Sequence, residues 1–437
     1  MKNKFFGMFD YLLILIVLTL VSLGVMFIYS SSINSEGISV TNEYTKQIVW
    51  ASIGLVLMVF LTIYDYRRIE SISIVLFIAL LILLVGVRLF GRYVNGAKSW
   101  SGIGEFGVQP SEFGKIFYIL YLARILDETS SSNQFRRFLL ATLVLLIPMG
   151  RILLQPDLGT ASVYLPIYFV MCFIAGVPLR YIGYILLFGV FTIFFAILPV
   201  WNAEIAAKPL AVISILTNLK LRFILILAFI MITLLGYVIR RYLHGPRYIY
   251  WIIYFTSIIA LALIFSLVLG KVLKDYQIKR LIIFMNPNKD PLGAGWNIIQ
   301  SKVAIGAGGV IGQGYLMGTQ SHYRFLPQQS TDFIFSILSE EFGFLGGMLV
   351  FSLYIVILLK ILYIIRKCVN RYGAYICAGI FGMFTFHFFI NVGMVMGIMP
   401  ITGIPLLFLS YGGSSLLTAM SCIGIVMNIN YRKADLK

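Results

Sequence analysis

The sequence predicts an all-α polytopic membrane protein with about 12 transmembrane helices, and three observations predict it. The chain is 60% hydrophobic and only 12% charged, too uniformly apolar for a water-soluble core. Its apolar residues fall in successive runs of roughly 20, the length that crosses the hydrocarbon of a bilayer. Its Lys and Arg gather in short groups at the ends of those runs, as the positive-inside rule requires.

Taken in order, the runs lie at residues 11–30, 47–64, 72–90, 112–126, 138–154, 161–177, 181–200, 221–240, 249–270, 332–365, 374–398 and 404–428. The first, YLLILIVLTLVSLGVMFIYS, is too long for a signal-peptide core and reads as a retained span. The fourth is interrupted by Lys115 and Arg124, and the tenth opens with Asp332 and Glu340-Glu341; these charges must face protein or water. Cys172, Cys368, Cys377 and Cys422 lie in or beside apolar runs without the spacing of a zinc site or a disulfide framework, which makes them packing residues.

With the amino terminus in the cytoplasm, every cytoplasmic segment carries a cation: Lys2 and Lys4, Arg67-Arg68, Arg136-Arg137, Arg180, Arg240-Arg241 with Arg247, Arg366-Lys367 with Arg371, and Arg432-Lys433. Membrane topology explains the excess of 34 Lys and Arg over 17 Asp and Glu better than a nucleic-acid partner does, although the outer loop 271–331 is also basic and its charges need another explanation. The chain reads as one membrane domain, 1–437, with both termini cytoplasmic. Its outer polar segments are 91–112, 155–160 and a large extracytoplasmic loop, 271–331.

That loop holds the chemistry. Its glycine-rich AIGAGGVIGQG can turn sharply and bring amides to a ligand, a weak signal alone. Lys279, Arg280, Lys289, Lys302 and Arg324 suit a diphosphate, and Tyr276, Trp296, Tyr315 and Tyr323 suit either sugar stacking or a membrane-interface collar. Asp290, in NPNKDPLGAGWN, follows a turn and precedes Pro291, so it is either a turn-capping residue or a carboxylate presented from a stiffened loop. No G-x-S-x-G, H-E-x-x-H or P-loop is present, and His244, His322 and His387 are far apart. Sugar transfer from a polyprenyl diphosphate needs less: the leaving group is a stable anion that cations can neutralise, and one carboxylate can deprotonate the attacking hydroxyl.

Six motifs in order, NGAKSW, QPSEFGK, QPDLGTA, DPLGAGWNIIQSKVAIGAGG, FLPQQSTDFIFSILSEEFG and NVGMVMGIMPITGIPLLFLSYGGSS, resemble the SEDS family of shape, elongation, division and sporulation proteins. NVGMVMG and YQIKR are similar to its rod-shape branch. The resemblance implies a peptidoglycan glycosyltransferase of the bacterial cytoplasmic membrane that polymerises lipid II on the outer face beside a class B penicillin-binding protein. It places the catalytic carboxylate on Asp290. Candidate substrate contacts are Trp100 in NGAKSW, Glu112 and Lys115 in QPSEFGK, Arg280, Lys289, Trp296, Gln300 and Lys302, with or without a divalent cation. Glu112 and Lys115, three apart on one helix face, can pair or line a cavity. Asp157, Asp332, Glu340 and Glu341 can be site residues or structural hydrogen-bond partners. Ser410, Tyr411 and Ser414 read as close helix packing.

One departure stands out. Family members usually have ten spans, so this chain is a family core of ten plus an inserted pair within 221–270, a hairpin expected at the periphery. The rival function is transport of lipid II across the membrane, which would need its critical polar groups along a transmembrane path.

Overall fold

A computed structural model describes residues 9–94, 97–103, 106–204, 213–243, 246–272, 275–293 and 295–433. The all-helical class holds, and each apolar run contributes a helix, the last of them only from Gly413: α1 Tyr11–Ser32, α2 Glu43–Ile63, α3 Tyr66–Phe90, α4 Pro110–Glu128, α5 Gln134–Leu153, α6 Leu158–Ile174, α7 Leu179–Glu204, α8 Ser214–Thr217, α9 Leu219–Tyr242, α10 Tyr248–Val272, α11 Asp275–Met285, α12 Trp296–Gly308, α13 Thr319–His322, α14 Ile334–Lys367, α15 Arg371–Val395 and α16 Gly413–Arg432. Among the described residues nine helices are long and apolar enough to cross a membrane. Of the remaining runs, α6 has 17 residues, and α4 and α5 carry charges that only protein neighbours or water can accommodate. Between α3 and α4 lies a feature the apolar pattern does not carry, a three-stranded antiparallel ribbon of β1 Arg92–Val94, β2 Ala97–Ile103 and β3 Phe106–Val108.

Residues 1–177 and 297–437 form one compact unit, and 178–296 form another. In the first, α15 and α16 are buried along almost their whole length and make the centre, with α2, α4, α6 and α14 packed around them. Helix starts follow side-chain chemistry: Asp10, Asp65, Asn133, Asp157 and Asn370 each accept a backbone N–H of the first turn. The charged helix ends collect on one face. Asp10 at the start of α1 pairs with Lys360 near the end of α14 at 2.9 Å, and Arg432 at the end of α16 lies 3.4 Å from Asp65 at the start of α3. Buried Arg137 at the start of α5 donates to the carbonyl oxygens of Leu126 and Ala175, which end α4 and α6.

The tenth run is a broken helix. Gly343, at φ 64 and ψ −158, interrupts α14 in a region of backbone space open essentially to glycine alone. The break frees backbone groups on both sides, and the glycine-rich segment satisfies them: Gln313 and Gly314 donate to the carbonyls of Glu340 and Glu341 at 3.0 Å, while Phe344 and Leu345 donate to those of Gly309 and Val310 at 2.9 and 3.1 Å. Irregular backbone buried away from water persists where protein pairs its polar groups in this way. The amides of Gln313 and Gly314 thus close a chain crossing and do not cradle a ligand.

The last run also needs correcting. Its helix begins at Gly413, and residues 400–412 are non-helical, because Pro400 and Pro405 cannot sustain helical hydrogen bonding. Buried side chains supply partners for this stretch. Asn391 donates to the Ile404 carbonyl at 2.8 Å, Gln47 to the Ser410 carbonyl at 3.2 Å, and the Leu406 N–H donates to Ser410 Oγ at 2.9 Å. Ser410 is therefore a backbone anchor rather than a helix-packing residue.

In the second unit α10 packs on both α7 and α9. Tyr184 on α7 donates to Ser257 on α10 at 3.2 Å, and Thr233 and Thr256 are 2.9 Å apart between α9 and α10. Arg222 on α9 is buried and donates to the carbonyls of Leu216 and Leu263 and to Ser266 Oγ. The unit ends in α11, a 3-10 turn over Pro287–Lys289 and the turn carrying Asp290.

Candidate active site

Asp290 owes its presentation to its neighbours. Asn286 accepts the N–H of Asn288 at 3.2 Å, Pro287 supplies the first residue of the 3-10 turn, and Asp290 ends it at φ −140 and ψ 68. Its carbonyl then accepts the N–H groups of Gly293 at 3.3 Å and Gly295 at 3.0 Å, and Trp296 N–H donates to the Gly293 carbonyl to begin α12. The residue is exposed. Its carboxylate lies over Gly293, against the position a β-carbon there would take, and a β-carbon at Gly295 would press on the carbonyl oxygens of Pro287 and Asp290. The glycines of D-P-L-G-A-G therefore leave room for the acid and for its turn. In the same unit Lys289 is exposed, and Arg280 and Trp296 are half-buried. The side chain of Tyr276 lies outside the described residues.

The remaining candidates belong to the other unit. On α12 Gln300 is half-buried and Lys302 exposed, with the Lys302 side chain running along Gly397, whose φ is +72. The helix is fixed between them by Ser301, buried and bonded to Ser336 Oγ at 2.8 Å and the Val395 carbonyl at 2.6 Å. The backbone of Trp100 lies in β2, in register with Arg92, and its side chain is outside the described residues.

Glu112 and Lys115 do meet. The Lys115 ammonium lies 2.7 Å from Glu112 Oε1, with both residues buried. Burial makes such a pair costly unless further hydrogen bonds complete it, and Lys115 finds a second partner in His387 Nε2 at 3.1 Å. Sequence reasoning left His387 without a role, since a lone histidine in an apolar run carries no local signal.

Of the acids left open by sequence, Asp157 and Glu340 make hydrogen bonds within the fold. Asp157 caps α6 through the Thr160 N–H and hydroxyl and accepts Gln109 Nε2 at 2.8 Å, while Glu340 accepts from Thr319 Oγ1 and from the N–H groups of Gln320 and Ser321. Glu341 accepts the Ser30 hydroxyl, and the Asp332 carbonyl accepts Asn391 Nδ2 at 3.0 Å. Ser414 Oγ accepts the Gln109 N–H, and Tyr411 N–H donates to the Ser330 carbonyl. Among the described residues no group of three or more His, Cys, Asp or Glu stands together in a way that could hold a metal ion.

Known proteins share this arrangement over its whole length. A family profile described as cell cycle protein, of the FtsW, RodA and SpoVE type, matches residues 10–205 and 201–435. The chain is 54% identical to peptidoglycan glycosyltransferase RodA of Treponema pallidum over 428 residues, covering 97% of this chain and 98% of the relative. It is 32% identical to stage V sporulation protein E of Bacillus subtilis, covering 96% of each. Among solved structures it resembles a chain of a peptidoglycan synthase complex that coordinates polymerization and crosslinking, with a TM-score of 0.68, 26% identity and 98% of both chains covered. It shares the fold of the rod shape determining protein RodA of Thermus thermophilus at a TM-score of 0.60, 24% identity and 98% of both chains covered. Matches of this extent, over the motifs that first suggested SEDS, establish that the chain belongs to the FtsW, RodA and SpoVE family of cell cycle proteins.

Proposed function

We propose that this protein is a peptidoglycan glycosyltransferase that polymerises lipid II into β-1,4 glycan strands for cell elongation. The end-to-end 54% identity with a relative of that name carries the reading. The chemistry follows from Asp290. Its carboxylate accepts the proton of the 4-hydroxyl on the acceptor GlcNAc as that oxygen attacks the anomeric carbon of the donor MurNAc. The bond to the diphosphate breaks as the new glycosidic bond forms, the α-linkage becomes β, and undecaprenyl diphosphate leaves. An inverting displacement needs no covalent intermediate and no second nucleophilic carboxylate, by analogy with inverting glycosidases. Arg280, Lys289 and Lys302 neutralise the departing diphosphate, alone or with a divalent cation, while Trp100, Trp296, Gln300 and the Glu112–Lys115 pair contact substrate.

The setting is the bacterial cytoplasmic membrane, with both termini cytoplasmic, the 271–331 loop outside, the 221–270 hairpin at the periphery, and a class B penicillin-binding protein as the cross-linking partner. The test is incubation of purified protein with labelled lipid II in detergent. Glycan product supports the reading, and loss of about 10²- to 10⁴-fold in Asp290→Ala, the effect of removing a positioned base, supports the assignment of Asp290. Transport has no meaning in detergent. A folded, pure protein that makes no product, with or without its penicillin-binding partner, would favour the transporter, and an active Asp290→Ala would remove the base assignment alone.

A further inference from the structure

Three buried side chains form a chain of hydrogen bonds between α4 and α15. Lys115 lies one turn beyond Glu112, with its ammonium 2.7 Å from Glu112 Oε1 and 3.1 Å from His387 Nε2. The other ring nitrogen of His387, Nδ1, is 2.9 Å from the carbonyl oxygen of Pro405. His387 is 0% exposed, Lys115 1% and Glu112 5%, so solvent water supplies little alternative bonding to any of them.

The donors and acceptors admit one assignment. A carbonyl oxygen only accepts, so Nδ1 carries the hydrogen and donates to Pro405. An ammonium only donates, so Nε2 must offer its lone pair to Lys115. Both contacts call for the same neutral tautomer, whereas an imidazolium would set an N–H and a positive charge against the ammonium. Pro405 belongs to the non-helical stretch before α16, so the ring is oriented by a backbone that itself cannot be helical. The orientation passes from Pro405 to His387 to Lys115.

Removing that acceptor would free Lys115 to swing away from its place beside Glu112. Glu112 Oε2 has no hydrogen-bond partner among the described residues, and the ammonium has a third N–H beyond the two that are used. The held pair thus keeps one acceptor and one donor in fixed relative positions in the protein interior, where only a group that enters the buried space between α4 and α15 can reach them. We propose that His387 is a positioning residue for the polymerisation reaction: as a neutral acceptor tied to Pro405, it fixes the Lys115 ammonium against Glu112 and so sets the direction in which this pair meets substrate. The inference rests on the reading of Glu112 and Lys115 as substrate contacts of a glycosyltransferase.

Two isosteres separate this role from a structural one. Asn places an amide N–H near Nδ1 and can keep the bond to Pro405, but it offers nothing at Nε2. Gln reaches the Nε2 position and, with its carbonyl oxygen there, accepts from Lys115 while giving up Pro405. Polymerisation of lipid II by the purified full-length protein is expected to persist in His387→Gln and to fall about 10- to 100-fold in His387→Asn and His387→Leu, the effect of losing a buried hydrogen bond to a charged group. The loss should appear mainly in kcat. An active Asn variant beside an inactive Gln variant would make His387 a staple on Pro405 and overturn the proposal, as would equal activity or equal loss in both folded variants. A thermal double-mutant cycle on His387→Leu and Lys115→Met reads the same contact without substrate: coupling between them is expected, and additivity overturns the contact. Coupling together with a fully active Lys115→Met would instead place the failure in the substrate role of Lys115.

Discussion

The carboxylate of Asp290 occupies the space beside Gly293 that a β-carbon would need, so the two residues of D-P-L-G are complementary in volume. The turn thereby sets not only where the acid lies but what must be missing opposite it. Gly293→Ala should push the carboxylate aside without disturbing the backbone bonds from Gly293 and Gly295 to the Asp290 carbonyl. Misplacing a reacting group by about 1 Å costs on the order of 10²-fold, so polymerisation in detergent should fall by about that factor while thermal unfolding stays near wild type. Full activity in Gly293→Ala would show that the carboxylate position seen here is not the working one.

The crossing of the glycine-rich segment over the broken α14 gives a prediction about stability. At Gly343 a β-carbon would meet the Gly312 nitrogen and the Val310 carbonyl group, and the backbone already sits where other residues are strained. Gly343→Ala should destabilise the protein by about 3 kcal/mol, a backbone conformational penalty compounded by a clash that backbone atoms cannot relieve. A melting temperature unchanged in detergent would mean that the four crossing hydrogen bonds can rearrange around a side chain.

Much of this architecture could be read from sequence because the bilayer imposes it. Runs of about 20 apolar residues became helices, and the three-residue spacing of Glu112 and Lys115 became an ion pair, since helical geometry fixes both. The break at Gly343 was hidden inside an apolar run, for a glycine in a membrane helix gives no sign of whether it is helical. Pro400 and Pro405 did mark the end of helix, yet the apolar Leu406, Leu407, Phe408 and Leu409 that follow masked the mark, because burial in protein and burial in lipid select the same side chains. His387 was illegible for a different reason. Its partners Lys115 and Pro405 are brought together only by tertiary packing.

The charged helix ends bear on topology. Asp10 with Lys360, Asp65 with Arg432, and Arg137 with the ends of α4 and α6 place alternate helix ends on a common face, as successive spans require. Cations favour the cytoplasmic side. In a cysteine-free background, a single cysteine at exposed Glu36 or Lys289 should react with an impermeant maleimide in intact cells, and one at Arg241 or Lys367 only after permeabilisation. The reverse pattern would invert the orientation and move Asp290 to the cytoplasmic side.

The hairpin of α9 and α10 should matter for folding and not for chemistry. Among the described residues the buried guanidinium of Arg222 donates to the carbonyls of Leu216 at 3.0 Å and Leu263 at 3.2 Å and to Ser266, all of them neutral. A buried charge stabilised only by neutral partners contributes weakly, and an apolar replacement of similar volume is often neutral or better. Thr233 and Thr256 add a second polar contact farther along the pair. Arg222→Met and Thr233→Val should therefore leave polymerisation of lipid II in detergent at the wild-type level, with any change confined to the melting temperature. Because both act inside the hairpin, they loosen its internal packing while leaving Asp290 and its turn untouched. If either substitution stops polymerisation in a folded protein as completely as Asp290→Ala, the hairpin takes part in the reaction and its peripheral placement is wrong.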